Sequence, residues 1–408
     1  MIQIRNIRQT EYSITQQELR LNNTMLAFNL IRDLMPISRI ELAKRSPFSS
    51  STISNLVDEL LQNQWIVETS TVQSSARGRR STLLEVNAQR GYVATVELLG
   101  RGYICTIYDI CLKKITGTRI RDTAYDSGSI AATIRNLMKN SHIASTLLQG
   151  IHLIYPGIVD EVSGELLSSV AFPEDDMLDR RLVIQLKKQF RDAHVMVSTN
   201  GTIIAFQEFV QHNQLPQLPL LSLNVDEAIF GGMVVSDTDK NMTFCYPIEL
   251  GHLMVDYHGE CCTCGNRGCL ETICCTPKLF EALNARAGLN LEYSESFGSD
   301  LNTNNMSVVA DLLEQGHPRV TEVLQEYTNI LCMAIGSISN MLGVRSVHVG
   351  GDIALLGAPF LNMLRQTFYS HFVPLNSADR TRIELFVNDY EQVRLAATLM
   401  CLDAIFRK

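Results

Sequence analysis

The run GHLMVDYHGECCTCGNRGCLE, from Gly251 to Glu271, concentrates the most reactive side chains of the protein. Within it His252, Cys262, Cys264 and Cys269 supply one imidazole and three thiols, the donor set of a closed tetrahedral zinc site with no coordination position left for water. Gly265 and Gly268 permit the tight reversal that would bring the sulfurs on either side to a common point. The expectation is one structural zinc ion per chain. Cys261 is adjacent and competes as a ligand, whereas Cys274 and Cys275 are expected to pack on a helix starting near Leu270. A run of buried free cysteines is the alternative.

A second group is basic. Arg77, Arg79 and Arg80 flank Gly78 in the segment QSSARGRRS, which joins two short alternating segments, Trp65 to Ser70 and Thr82 to Val86, as a hairpin would. Arginines on such a loop suit phosphate contact or a narrow minor groove. The elements before it must present something to the same partner. Leu26, Phe28, Leu30, Ile31 and Leu34 have helical spacing that Pro36 ends. Ser38 and Glu41 form a capping box opening a short helix through Ala43. Ser49, Ser50 and Ser51 then offer N-cap oxygens to a helix over Thr52 to Leu61, whose apolar stripe is Ile53, Leu56, Val57, Leu60 and Leu61. Its other face carries Ser50, Ser51, Thr52, Ser54 and Asn55, groups able to reach base edges and phosphates in a major groove. The order predicts a winged helix-turn-helix that binds double-stranded DNA. A small protein-interaction domain with a solvated basic loop is the competing reading.

Composition first argues the other way. The 408 residues carry a formal charge of -8, which taken whole disfavours a nucleic-acid binder. Residues 1–90, however, hold eleven Lys plus Arg against eight Asp plus Glu, a net of +3, leaving 24 against 35, or -11, for the remainder. A basic head precedes an acidic body. The length suggests two to three domains, and a hydrophobic fraction of 46% permits a substantial core. Neither a membrane-length apolar stretch nor the apolar region of a signal peptide stands out, so a cytoplasmic protein without membrane association is expected, its eleven cysteines reduced. After Asn87, strands alternate with helices. The same succession recurs later, ending with the strand Ser346 to Val349, the turn Gly350-Gly351-Asp352 and a helix from Glu391 to Ile405, which predicts two α/β lobes sharing a cleft.

These residues resemble the ROK family of bacterial sugar kinases and sugar-responsive repressors. The resemblance rests on the head with its GRRS loop, PGIVDEVSG at Pro156 to Gly164, E-x-G-H at Glu249 to His252, and C-x-C-G-x-x-G-C-x-E ending at Glu271. It implies an N-terminal winged helix-turn-helix followed by an actin-like, two-lobed α/β ATPase fold, zinc in the second lobe, and a homodimer or homotetramer. The corresponding division is an arm over 1–21, the head over 22–88, a first lobe over 89–200 completed by the C-terminal helix in 386–408, and a second lobe over 201–385. The head points to the repressor branch, which governs xylose, N-acetylglucosamine or glucose-type operons and releases DNA on binding sugar. A sugar kinase with an appended DNA-binding head is the alternative, and a DNA binder whose body only dimerises is a third.

Departures from the kinases favour a regulator. Where family kinases end a strand in Asn-Asp, the Asp serving as general base, VMVSTNGTIIAFQE places Thr199 and Asn200, and an amide cannot take that proton near neutral pH. The two phosphate motifs appear as Glu97 to Arg101 and as Asp226 to Gly232, where carboxylates and Phe230 replace glycines that would close on phosphate. No catalytic residue is therefore expected. By resemblance the sugar contacts are Thr199, Asn200, Glu249, His252 and Glu271, although Glu249 and Glu271 have the alternative role of bracing the zinc loop. Thr199 replaces an Asn, Ile248 a Gly, Pro47 the turn Gly of the head, and Ser81 the Pro of the family loop.

Overall fold

The computed structural model describes residues 16–72, 81–100, 102–121, 125–160, 163–168, 179–211, 217–237, 242–294, 300–371, 381–387 and 389–406. The head consists of α1 (Gln16–Leu34), β1 (Ile37–Ser38), α2 (Arg39–Arg45), α3 (Ser50–Gln62), β2 (Ile66–Val72) and β3 (Ser81–Val86), with the strands in the order β1-β3-β2. Helix α1 starts inside the segment expected to be an arm, because its first turns carry no apolar stripe to mark them. The Ser38 hydroxyl caps α2 by accepting from the Glu41 amide at 3.2 Å. The Glu41 carboxylate pairs with Arg45 at 3.0 Å, and Ser49 caps α3 by accepting from the Thr52 amide at 3.2 Å. Ile53, Leu56, Val57 and Leu60 bury the apolar face of α3 against α1 and α2.

The first lobe follows as β4 (Tyr92–Leu99), β5 (Gly102–Asp109), β6 (Lys114–Ile120), α4 (Ser127–Asn140), β7 (Leu148–Tyr155), β8 (Ile158–Asp160), β9 (Glu165–Ser168), α5 (Leu182–Gln189) and β10 (His194–Thr199). Helix α6 (Asn200–Gln211) leads to the second: β11 (Leu220–Val225), β12 (Ile229–Asp237), β13 (Met242–Ile248), α7 (Glu271–Cys274), α8 (Thr276–Ala287), α9 (Asp300–Glu314), α10 (Pro318–Leu342), β14 (Ser346–Gly350), α11 (Gly357–His371) and β15 (Arg382–Leu385), with α12 (Tyr390–Phe406) last. The sheets run β6-β5-β4-β7-β10 and β13-β12-β11-β14-β15. In each, two antiparallel pairings precede two parallel ones, so both lobes repeat one plan. In these two sheets β6, β13 and β15 lie at edges, where one or both faces lose the burial that creates a strong apolar pattern.

Two helices cross between the lobes. Helix α6 packs on β11, β12 and β13, whereas α12 packs on β4, β7 and β10 and also meets α6. Of Asp226 to Gly232, read in sequence as the remnant of a phosphate loop, Ile229 to Gly232 form the start of strand β12. Its glycines serve packing: a β-carbon on Gly201 would lie 2.0 Å from the Gly231 carbonyl oxygen, and one on Gly232 would lie 2.2 Å from that of Gly201. Among the described residues no helix is long and apolar enough to cross a membrane.

Candidate metal centre and interlobe cleft

The four donors expected to hold zinc come together. The candidate ligand atoms of His252, Cys262, Cys264 and Cys269 all lie within 4.8 Å of one another. His252 Nδ1 is 3.6 Å from Cys262 Sγ, and Cys264 Sγ is 3.7 Å from Cys269 Sγ. Tetrahedral Zn–S and Zn–N bonds of ordinary length place neighbouring ligand atoms roughly 3.5–3.8 Å apart. The donor set therefore fits a four-coordinate zinc, with His252 Nδ1 as the metal-facing nitrogen. Backbone bonds hold the turn: Cys262 N donates to Asn266 O at 2.7 Å, Gly268 N to Glu260 O at 2.8 Å, and Val255 N to Gly268 O at 2.8 Å. Gly268 takes φ +59°, and a β-carbon there would collide with the Asp256 carbonyl oxygen, so no other residue fits. Cys261 is exposed and outside the four-donor group. Cys274 and Cys275 are buried in the core of the second lobe, where Tyr327 Oη donates to Cys274 O at 2.5 Å.

The residues assigned to sugar converge on the start of β12. Gly231 pairs with Ile248, the neighbour of Glu249, and packs from its other side against Gly201, the neighbour of Asn200. Glu271 Oε2 accepts from Ile229 N at 2.8 Å. Glu249 is exposed as a whole, while desolvation of its carboxyl, then the repulsion of Glu271, raises its pKa against the opposing pull of His252. Thr199 is buried and its hydroxyl caps α6, accepting from Thr202 N at 3.2 Å. Asn200 Oδ1 is buried with no hydrogen-bond partner among the described residues. A buried unpaired oxygen is costly unless a donor reaches it.

The two segments that the resemblance aligned with phosphate motifs are engaged by side chains of the protein. Glu97 is 2% exposed and lies 2.7 Å from the Arg394 guanidinium of α12. Asp226 accepts from Asp352 N at 2.6 Å and from the Asn224 side chain. Burial raises both carboxyls of the Asp226–Asp352 pair. Gly351, at φ +84°, brings the chain against Val225 O and Asp226 Oδ1, so the Gly pair makes a turn.

On the head, Ser50, Ser51 and Asn55 are exposed and Thr52 and Ser54 half-buried. The carboxylates alongside are paired, Asp58 with Arg39 at 2.7 Å and Glu59 with Arg20 at 2.8 Å. Arg77, Arg79 and Arg80 lie outside the described residues. The arginines of α1 and α2 that neutralise α3 had no sequence signal, since each partner is remote in the chain.

This is the architecture of a two-lobed, actin-like protein carrying an N-terminal head. Residues 100–391 match the ROK family, and the chain belongs to it. It is 22% identical over 357 residues to the xylose repressor of Caldicellulosiruptor bescii, covering 85% of this chain and 87% of the relative. The fold is that of a ROK family transcriptional regulator described as a homolog of the Escherichia coli Mlc protein, with TM-score 0.73, 20% identity, and 96% and 97% of the two chains covered. A ROK family glucokinase from Streptomyces griseus, solved with glucose and AMPPNP, superposes with TM-score 0.54 and 16% identity over 76% of this chain and 99% of its own.

Proposed function

We propose that the protein is a sugar-responsive transcriptional repressor of a carbohydrate-utilisation operon, with 22–88 as a winged helix-turn-helix head. The observation that carries this reading is the presence, on one chain, of α3 with its exposed polar N-terminal face and a cleft whose proton-accepting position is an amide, Asn200. In this reading Ser50, Ser51, Thr52, Ser54 and Asn55 meet the major groove, and Arg77, Arg79 and Arg80 meet phosphates or the minor groove. A homo-oligomer of dimeric or tetrameric order presents two heads to a pseudo-palindrome. A sugar binds between the lobes. Glu249, Glu271 and Asn200 Oδ1 accept hydrogen bonds from its hydroxyls, and Thr199 and His252 complete the pocket. His252, Cys262, Cys264 and Cys269 would hold a structural zinc, which cross-links the loop between Glu249 and Glu271. Sugar that favours one lobe arrangement then shifts operator affinity by the fivefold to 150-fold typical of allosteric coupling.

Fluorescence anisotropy with a duplex selected by the protein from a random library tests this. Affinity is expected to fall with salt and on adding one of xylose, glucose or N-acetylglucosamine. Replacing Arg79 and Arg80 together by alanine should reduce the slope of log affinity against log salt by about 2. An unchanged slope would remove the wing from the interface. The chain also carries no general base in this reading, so incubation with ATP and a hexose panel should give no sugar phosphate above the protein-free background; turnover would make it a kinase.

A further inference from the structure

Helix α12 touches the cleft, the interlobe contact and the head. At its start Arg394 grips Glu97 of β4, and Glu391 accepts from Tyr108 Oη at 2.8 Å and Lys114 Nζ at 3.0 Å. Burial first, and then the carboxylates of Asp226, Asp352 and Glu97, push the Tyr390 hydroxyl pKa well up, so this end of the helix lies near acidic groups of both lobes. In its middle, Val393, Ala396 and Ala397 share a buried cluster with Ile203 and Ile204 of α6, the helix that Asn200 opens. At its end Phe406 lies 4.7 Å from the ring of Phe28 and 4.5 Å from that of Trp65, both in the head. Cys401 and Leu402 enter the same cluster.

The head is thus docked on the first lobe. The connection between them is pinned as well: Asn87 N donates to Trp65 O at 3.0 Å, Asn87 Nδ2 to Gln64 O at 3.0 Å, and Arg90 Nε to Asn63 O at 3.2 Å. The Arg90 guanidinium covers Trp65 at 4.9 Å. The turn after β5 adds Ile110, Cys111 and Leu112 to the cluster.

We propose that α12 is the element through which an occupied cleft alters the head, with Phe406 as the positioning residue at its far end. The inference rests on the sugar-responsive reading above. Helix α6 is fixed to the second lobe, by the close approach of Gly201 to Gly231 and by Glu208 Oε2 lying 2.9 Å from His348 Nδ1 of β14. Helix α12 is fixed to the first lobe through Glu97. Closure of the lobes is then taken up where α6 meets α12, a contact built on the apolar cluster of Ile203, Ile204, Val393, Ala396 and Ala397. A displacement of α12 carries directly into the aromatic cluster, and close-packed side chains respond to such shifts by repacking in discrete steps.

Trp65, the single tryptophan of the protein, reports on that cluster. Titrating the full-length native chain with xylose, glucose and N-acetylglucosamine should change Trp65 emission for whichever sugar weakens binding to the library-selected duplex. Phe406→Ala should hold the duplex in the absence of sugar within about threefold of the native chain. The sugar-induced loss of affinity, about tenfold or more natively, should fall below about twofold. Phe406→Tyr, which keeps the ring, should restore the response. Metal content and the thermal melt of each variant show whether the body remains folded; if Phe406→Ala unfolds it, Phe406→Leu takes its place. A Phe406 variant that stays folded and as inducible as the native chain would overturn the proposal while leaving the repressor reading intact. A native chain that shows no response to any of these sugars would overturn both.

Discussion

Replacing Arg394 by methionine is expected to destabilise the protein by about 3–5 kcal/mol, because it leaves the Glu97 carboxylate buried without its cation. Glu97 is 2% exposed and its pKa is raised chiefly by burial, with the Arg394 guanidinium at 2.7 Å pulling the other way. Removing that pull raises it further. A carboxyl whose folded pKa lies above its unfolded value makes the folded state hold the extra proton. Stability is then lost as pH rises through the interval between the two values and regained as pH falls below the ordinary carboxylate value. The Arg394→Met deficit should accordingly be largest near pH 8 and shrink toward pH 5. Denaturant melts at the two pH values measure it. Adding Glu97→Gln should recover most of the loss, since a neutral amide costs far less to bury than a charge. A deficit that is independent of pH and unrelieved by the second substitution would show that Arg394 acts through packing alone.

Cys269→Ser should remove the metal. Cys269 is fully buried, its sulfur is 3.7 Å from that of Cys264, and its backbone bridges Met254 across the loop. Elemental analysis should fall from about one zinc per chain to under about 0.1. A ligand bound only by the folded state at a thousand times its dissociation constant stabilises by about 4 kcal/mol, so the melting temperature should fall by roughly 8–16 °C. Chelation of the native protein should reproduce that fall, and added zinc should reverse it. Cys261→Ser is the control: Cys261 is exposed and outside the donor group, and its loss should leave metal content and melting unchanged. Retention of zinc by Cys269→Ser, or its loss from Cys261→Ser, would redraw the ligand set.

Much of this was legible before any coordinates. The candidate metal site could be read because three of its donors lie within eight residues and their spacing alone nearly dictates the turn. The capping serines at 38 and 49 could be read because a cap is satisfied three residues away. The apolar stripe of α3 could be read because its period is that of the helix. Each of these signals is local in the chain. By contrast, Asp226 to Gly232 offered glycines after a carboxylate-rich start, and sequence alone could not tell a phosphate loop from the turn and strand it proves to be. The backbone of α6 at Gly201, packed against that strand, is what distinguishes them.

What the sequence by itself determined is the set of local devices: two capped helices of the head, the four candidate metal donors, an amide at Asn200 where the resemblance expects a carboxylate, and a repeated strand-and-helix order. What only the tertiary structure decided is how distant segments meet. Glu97 finds its cation 297 residues away on α12, and Phe28 and Trp65 find Phe406 at the other end of the chain. Asn200 and Glu249 meet at the start of β12, one through Gly201 packed on Gly231 and the other through Ile248 paired with it. The physical reason is that short-range order follows from backbone geometry and a few neighbouring side chains. Pairings across the whole chain follow from which buried faces and charges remain to be satisfied once the local elements have formed.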